Sequence, residues 1–285
     1  MGTLYLVATP IGNLEDITLR AIRILREVSL IAAEDTRTAR RLLTHLDIAT
    51  PLVAYFEPVY ERDAAPRLQL LQILQALEQG DVAVISEAGT PGLSDPGYEL
   101  VRAAIERDFR VVPIPGANAL VAALTASGLP TDQFVYLGFL PRHKNPRREL
   151  LQSVARETRT LVAYESPHRV RESLDDVLAV LGDREMCVAR ELTKMFEEFF
   201  RGTVSATCEH FDAYAPRGEF TLVIAGVDPA SLQDMAEQEI WDDARVIQAV
   251  RDLLDTGVTR TDAVKRIARQ AKRDRREVYD LALSV

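Results

Sequence analysis

Cysteine is close to absent from this chain of 285 residues. Cys187 and Cys208 occur far apart and without C-x-x-C spacing. That excludes a disulfide scaffold and a thiolate zinc cluster, and four scattered histidines supply no alternative ligand set. No metal is expected, and reduced thiols fit a cytoplasmic protein. Long apolar runs are missing too. No stretch reaches the ~18 residues of a membrane span, so no membrane partner is expected. The opening Met1-Gly-Thr-Leu-Tyr-Leu-Val-Ala lacks a basic leader and reads as a first strand, not a signal peptide. The usual phosphate cradles are also absent. There is no strand-linked G-x-G-x-x-G, and although Gly92 and Gly97 have P-loop spacing, Tyr98-Glu99 follows where Lys-Ser/Thr is required.

Positive charge is in deficit, with a formal net charge of −9, which argues against broad electrostatic capture of nucleic acid. The deficit is uneven. Residues 260–276 hold eight lysines and arginines against Asp262 and Asp274, a local basic surface on an acidic body. Lys265, Arg269 and Lys272 share one helical face there, while Val264, Ile267, Ala268 and Ala271 share an apolar one. Gly257 is placed to end one helix and Thr259 to cap the next. Asp274 and Glu277 resemble a capping box. Either an RNA-contacting helical module or an ordinary solvated face fits this pattern.

What is present is alternation. Strand patterns at 3–8, 29–33, 82–86 and 110–114 are separated by helical ones. In one of these, Leu70, Ile73, Leu74 and Leu77 fall at i, i+3, i+4 and i+7. This predicts an α/β layer with a largely parallel sheet. Pro113-Ile-Pro-Gly116 breaks the pattern. A second set of strands is predicted at 134–138, 160–164, 186–190, 195–201 and 219–225, the short gap before the fourth implying a partly antiparallel sheet. The expected organisation is an N-terminal α/β domain over 1–115, a second α/β domain over 116–228 and a helical basic module over 229–285.

The unusual residues collect at strand ends. Val82-Ala-Val-Ile-Ser86 runs into a loop with three glycines and two prolines, Glu87-Ala-Gly-Thr-Pro-Gly-Leu-Ser-Asp-Pro-Gly97. There a ligand would meet main chain instead of Cβ atoms. Thr9 to Asp16, Glu34 to Arg37 and Pro115 to Ala119 follow other strands. In an open α/β sheet these ends form the ligand crevice. In the second half Arg142, Lys144, Arg147, Arg148, Arg169 and Lys194 lie just past strands, where they would gather around an anionic substrate. No Ser-His-Asp or Cys-His set stands out.

At these residues the chain resembles the tetrapyrrole methylase superfamily, and within it the branch that methylates small-subunit ribosomal RNA. The resemblance rests on Leu6-Val-Ala-Thr-Pro-Ile-Gly-Asn-Leu-Glu-Asp-Ile, Ala33-Glu-Asp-Thr-Arg, Ala88-Gly-Thr-Pro-Gly-Leu-Ser-Asp-Pro-Gly, Gly138-Phe-Leu-Pro, Tyr164-Glu-Ser-Pro-His-Arg and Arg190-Glu-Leu-Thr-Lys, in order over residues 3 to about 226. It implies two α/β domains with S-adenosylmethionine in the cleft between them, and a homodimer. It also implies 2′-O-methylation of a cytidine in the decoding region of 16S rRNA, presented within the small ribosomal subunit. A small-molecule methylase of the same fold and a noncatalytic RNA-binding assembly factor are the alternatives.

By the same likeness Pro10, Leu93, Asp95, Tyr98, Asn118, Ala119 and Leu192 should meet the cofactor. Asp95 would supply negative field to a sulfonium, or else cap the helix after Pro96. Lys194 and Glu191 are the candidates for the general base, with an ordinary ion pair as the competing reading. Three departures stand out. Glu87 replaces an expected Asp, Asn118 replaces a Ser, and Phe56-Glu-Pro-Val-Tyr60 stands where relatives carry a His-Glu-His-Asn-like run.

Overall fold

The computed structural model describes residues 2–57, 64–230, 232 and 241–283, and the chain divides into two compact units at Gly226/Val227. The first unit contains two five-stranded sheets. In the first are β1 (Thr3–Val7), β2 (Leu30–Ala33), β3 (Leu52–Ala54), β4 (Val82–Ile85) and β5 (Arg110–Ile114), in the order β3-β2-β4-β1-β5. Every pairing is parallel. Parallel neighbours require crossovers, and the crossing helices cover both faces. That is why β4 is apolar and buried at all four positions. Helices α1 (Leu19–Glu27) and α2 (Thr36–His45) pack on one face through Ala21, Ile24, Leu25, Ala39 and Leu43. Helices α3 (Ala64–Gln79) and α4 (Tyr98–Ile105) pack on the other through Ile73, Leu74, Leu77, Leu100 and Ala104. The expected apolar face of α3 is therefore the one that is buried.

The second sheet contains β6 (Phe134–Phe139), β7 (Thr160–Glu165), β8 (Glu185–Arg190), β9 (Glu198–Thr203) and β10 (Phe220–Ile224), in the order β6-β7-β10-β8-β9. Only the β6/β7 pairing is parallel. Helix α5 (Ala119–Ala126) covers one face. Helices α6 (Lys144–Ser153), α7 (Val170–Leu181) and α8 (Val204–Ala213) cover the other. Strand β9 begins three residues after the expected Met195, because Leu192 to Glu197 form a loop. β3 lies at the sheet edge, a three-residue strand that the sequence pattern did not reveal.

The second unit holds α9 (Asp243–Asp255), α10 (Arg260–Ala271) and α11 (Arg275–Ala282). Asp242, Thr259 and Asp274 cap their N-termini. Val246, Val250, Val264, Ile267 and Val278 form its core, and Lys265, Arg269 and Lys272 are exposed. The helical start expected near Ser231 lies outside the described residues.

Candidate functional site

β1 and β4 are neighbours whose outgoing chains part in opposite directions, one towards β2 and one towards β5. Such a switch point opens a crevice beyond the strand ends. Here the two departing loops are stitched together by a bridge, in which Thr9 N–H donates to Gly89 carbonyl at 2.8 Å and Gly89 N–H donates to Thr9 carbonyl at 3.0 Å. Beside them lies a cleft of about 530 Å³. Its first wall is Pro10 to Gly12, Glu87 to Thr90, Leu93 to Asp95, Asn118 and Ala119. Its second wall, from the other sheet, is Phe139, Tyr164 to Pro167, Leu192, Lys194 and Glu219 to Thr221.

Local chemistry holds the walls together. Ser94 sits at φ 63° and its hydroxyl is 2.7 Å from the Tyr136 hydroxyl of β6. Asn118 does two jobs. Its Oδ1 accepts from Val121 N–H at 3.2 Å as the cap of α5, and its Nδ2 donates to Thr90 Oγ1 at 3.1 Å. The Ser-to-Asn departure thus keeps the cap and adds a tie to the cofactor-loop candidate. The Tyr164 hydroxyl accepts from Leu120 N–H at 3.1 Å. At position 12 a Cβ would lie 2.4 Å from Lys194 Cγ and 2.9 Å from Thr193 Oγ1. Glycine there lets the first-sheet loop close onto the Leu192 loop.

The loop from Glu191 to Lys194 is strained. Glu191 (φ 52°) and Thr193 (φ 66°) both occupy the left-handed region, at a cost of order 1–3 kcal/mol each. Leu192, between them, is turned into the cleft and is 7% exposed. Glu197 accepts from Thr193 N–H at 2.6 Å, and Glu191 accepts from Glu219 N–H at 3.0 Å. These bonds pin the loop from both sides.

The site is acidic and shielded. Burial, chiefly, raises Asp95 to about 6; a Ser86 hydrogen bond opposes the rise, and the charges of Glu34 and Glu87 add to it. Burial likewise raises Glu34, partly offset by a hydrogen bond from Glu87 N–H. Glu87 N–H donates to Glu34 at 3.4 Å. Crowded carboxylates of this kind favour a cation. They disfavour a phosphate.

Lys194 lines the cleft, and its Nζ donates to Glu191 at 2.9 Å and to Glu219 at 3.1 Å. Burial works to lower its pKa, but the hydrogen bonds to the two carboxylates outweigh that and hold it above the ordinary lysine value. A lysine held charged is a positioned cation, and the ion pair with Glu191 that competed with the base reading is present. Glu191 does not line the cleft. Burial would raise its pKa, yet the Lys194 and Glu219 contacts lower it. It positions Lys194.

Six of the seven expected cofactor residues line the cleft: Pro10, Leu93, Asp95, Asn118, Ala119 and Leu192. Tyr98 does not; it is 64% exposed at the start of α4. Three of the expected substrate cations are held in ion pairs within the second-sheet layer. Arg147 is 1% exposed and its guanidinium grips Asp176 of α7 at 2.6 and 2.8 Å. Arg148 holds the other oxygen of Asp176 at 2.6 Å. Arg169 pairs with buried Glu165 at 2.7 Å and also donates to Leu140 carbonyl. These ties clamp α6 and β7 to α7. Arg142 and Lys144 are exposed. Among the described residues no group of histidines, cysteines or carboxylates is arranged to hold a metal.

Glu57 went unrecognised. One of its carboxylate oxygens accepts from Gly97 N–H and Glu99 N–H at 2.8 Å each, and from the Tyr55 hydroxyl at 3.0 Å. It therefore caps α4 from forty residues away, while Asp95, the expected cap, is left to face the cleft. The signal was a glutamate in a run whose other members differ from the family pattern; residues 58–60 of that run lie outside the described residues.

Comparison with known proteins places these features in a family. The sequence matches Tetrapyrrole (Corrin/Porphyrin) Methylases over residues 3–207. It is 47% identical over 287 residues to the Ribosomal RNA small subunit methyltransferase I of Synechocystis sp., covering 100% of this chain and 99% of that one. It is 41% identical to the protein of that name from Bacillus subtilis, covering 98% and 94%. Among solved structures, the fold resembles the cobalamin biosynthetic enzyme cobalt precorrin-4 methyltransferase, with a TM-score of 0.58 at 15% identity over 78% of this chain and 94% of that one. It also resembles uroporphyrin III C-methyl transferase from Thermus thermophilus, with a TM-score of 0.54 at 19% identity over 79% and 97%.

Proposed function

Because the chain belongs to the tetrapyrrole methylase family, we propose that it moves a methyl group from S-adenosylmethionine to the 2′-hydroxyl of a cytidine in the decoding region of 16S rRNA, on the small ribosomal subunit. The observation that carries this reading is the cleft itself: an acidic, glycine-backed crevice of about 530 Å³ with one charged lysine on its far wall. When bound there, the cofactor supplies an activated methyl on a sulfonium cation. The residues fit that group. Gly89 to Asp95 offer main chain for its polar ends, Asp95 and Glu87 offer negative field, and Leu93, Ala119 and Leu192 offer apolar contact. Identity of 41–47% over nearly the full length to proteins named as rRNA methyltransferases supports the RNA substrate, and the 2′-hydroxyl is the group that separates RNA from DNA.

The chain's own task is mostly positioning. Seating the ribose oxygen in line behind the methyl is worth ~7–11 kcal/mol of barrier in favourable cases. Lys194 adds a fixed ammonium where negative charge develops on that oxygen, and Glu191 with Glu219 keeps it charged and aimed. The exposed cations Arg142 and Lys144, with Lys265, Arg269 and Lys272 of the C-terminal helices, contact RNA phosphates. The working assembly is a homodimer, which sedimentation of the purified chain checks.

Transfer of labelled methyl from S-adenosylmethionine to purified small subunits, followed by mass mapping of the ribose, tests the reading. A labelled cytidine 2′-O position in the decoding region supports it. Label on a free tetrapyrrole but not on RNA would replace it with a metabolite methylase. Subunit binding without cofactor binding or label would replace it with an assembly factor.

A further inference from the structure

The outer surface of α1 and α2 carries Arg20, Arg23, Arg26, Arg37, Arg40 and Arg41, all exposed. Both helices bury their inner faces on the same side of the first sheet, so these arginines point outward from one side of a chain whose net charge is −9. Arg23 is paired with Glu27 and Arg37 with Asp35. Arg26 donates to the Leu46 carbonyl. No carboxylate lies within ion-pair distance of Arg20, Arg40 or Arg41 among the described residues.

This surface meets the active cleft through a second, smaller cavity of about 190 Å³. Arg41 and Leu42 of α2 line it, and Pro10, Thr38 and Glu87 belong to both cavities. Thr9 also lines it. That residue is 2% exposed, and its hydroxyl has no hydrogen-bond partner. A buried hydroxyl without a partner is rare and destabilising unless a ligand satisfies it. Glu87, at the shared rim, is the one carboxylate among the lining residues.

The chemistry of the substrate says what belongs there. In RNA the 2′-oxygen and the 3′-phosphate sit on adjacent ribose carbons, so a phosphodiester always accompanies the reacting hydroxyl. The inner cleft, lined by Glu87, Asp95 and Glu219, is a poor host for that phosphate. The strand must leave the cleft over a surface that offers cations and a hydroxyl donor.

We infer that the small cavity and the α1–α2 arginines form the exit track for the RNA sugar–phosphate backbone next to the methylated nucleotide, with the Thr9 hydroxyl and Arg41 contacting phosphate oxygens and Arg40 and Arg20 continuing the track. This rests on the RNA-methylase reading above and adds to it a surface of the first sheet that composition had hidden.

The test uses the full chain with Arg41→Gln, Arg40→Gln/Arg41→Gln and Arg20→Gln, each assayed against a short labelled decoding-region RNA and against whole small subunits. Each lost phosphate contact should lower the slope of log affinity against log salt by about one. KM for RNA should rise while cofactor affinity holds. Thr9→Val should raise KM for RNA severalfold with the salt slope unchanged. Slopes equal to the parent's in all three arginine variants would overturn the track. A slope lost on subunits but kept on naked RNA would overturn it too, by assigning the surface to an acidic protein neighbour. A parent chain that binds neither RNA nor subunits in a salt-dependent way would instead sink the RNA-methylase reading itself.

Discussion

Lowering the pH from 7 to 5 should weaken S-adenosylmethionine binding about tenfold, with Asp95 as the cause. Burial raises this carboxyl to about 6 against the pull of Ser86, and the neighbouring charges of Glu34 and Glu87 raise it further. With that value about nine-tenths of the molecules carry the carboxylate at pH 7 and about one-tenth at pH 5. A sulfonium that needs the charged form meets about tenfold fewer competent sites at the lower pH. The stability linkage runs the other way in the free protein. A carboxyl raised on folding favours the fold while protonated. Its contribution is present in acid and is lost as pH rises through about 6. The cofactor reverses that penalty, so binding near pH 6 should release about half a proton. Calorimetry in two buffers of different ionisation heat measures this release directly. Asp95→Asn should flatten the profile and weaken binding at pH 7. Because Glu34 is also raised, an unchanged pH profile in Asp95→Asn would move the linkage to Glu34 and refute the assignment. A flat profile in the parent chain would refute the argument altogether.

Other outcomes follow from the same contacts. Glu57→Ala removes the cap of α4, which costs about 0.5–2 kcal/mol and lowers the melting temperature by roughly 2–4 °C per kcal/mol; cofactor affinity should fall with it because Gly97 ends the loop that lines the cleft, and an intact affinity on calorimetry would separate the cap from the site. Arg147→Met leaves Asp176 buried beside a single remaining partner and should cost about 3–5 kcal/mol in denaturant unfolding, whereas Arg142→Met should change stability by less than about 0.5 kcal/mol. Lys194→Met should cut kcat by about 10²–10³, as loss of a fixed electrostatic donor does, with cofactor affinity held in equilibrium dialysis; a loss of affinity without loss of kcat would make the lysine a binding group only.

The crevice was legible because its grammar is local. Buried strands end in glycine, proline and small polar residues, and this signals both the fold and the edge where ligands sit, so the loops at 9–16, 87–97 and 115–119 could be placed in advance. What failed was whatever depends on distant partners. Arg147 reads as a substrate cation until Asp176, twenty-nine residues on, is seen to bury it. Glu57 caps a helix forty residues away, and no local motif records that. The α1–α2 arginines were masked by spacing. They sit on two helices separated by β2, so a window over 20–35 sees Arg20, Arg23 and Arg26 balanced against Glu27, Glu34 and Asp35. Met195 to Glu197, the far end of the Leu192 loop, read as the start of a strand that begins only at Glu198, and the left-handed backbone at Glu191 and Thr193 leaves no mark in a sequence when neither residue is glycine.

That loop sets a bargain for anyone who would engineer the chain. Thr193 is β-branched yet left-handed, the arrangement that side chains of its shape resist most. Glycine or asparagine at this position would relax the backbone, and a library screened only for heat resistance should drift towards them. Each such gain would let Leu192 wander from its seat in the cleft. Hardier variants chosen this way should therefore turn over more slowly, since tension in four residues holds this wall of the cleft in place.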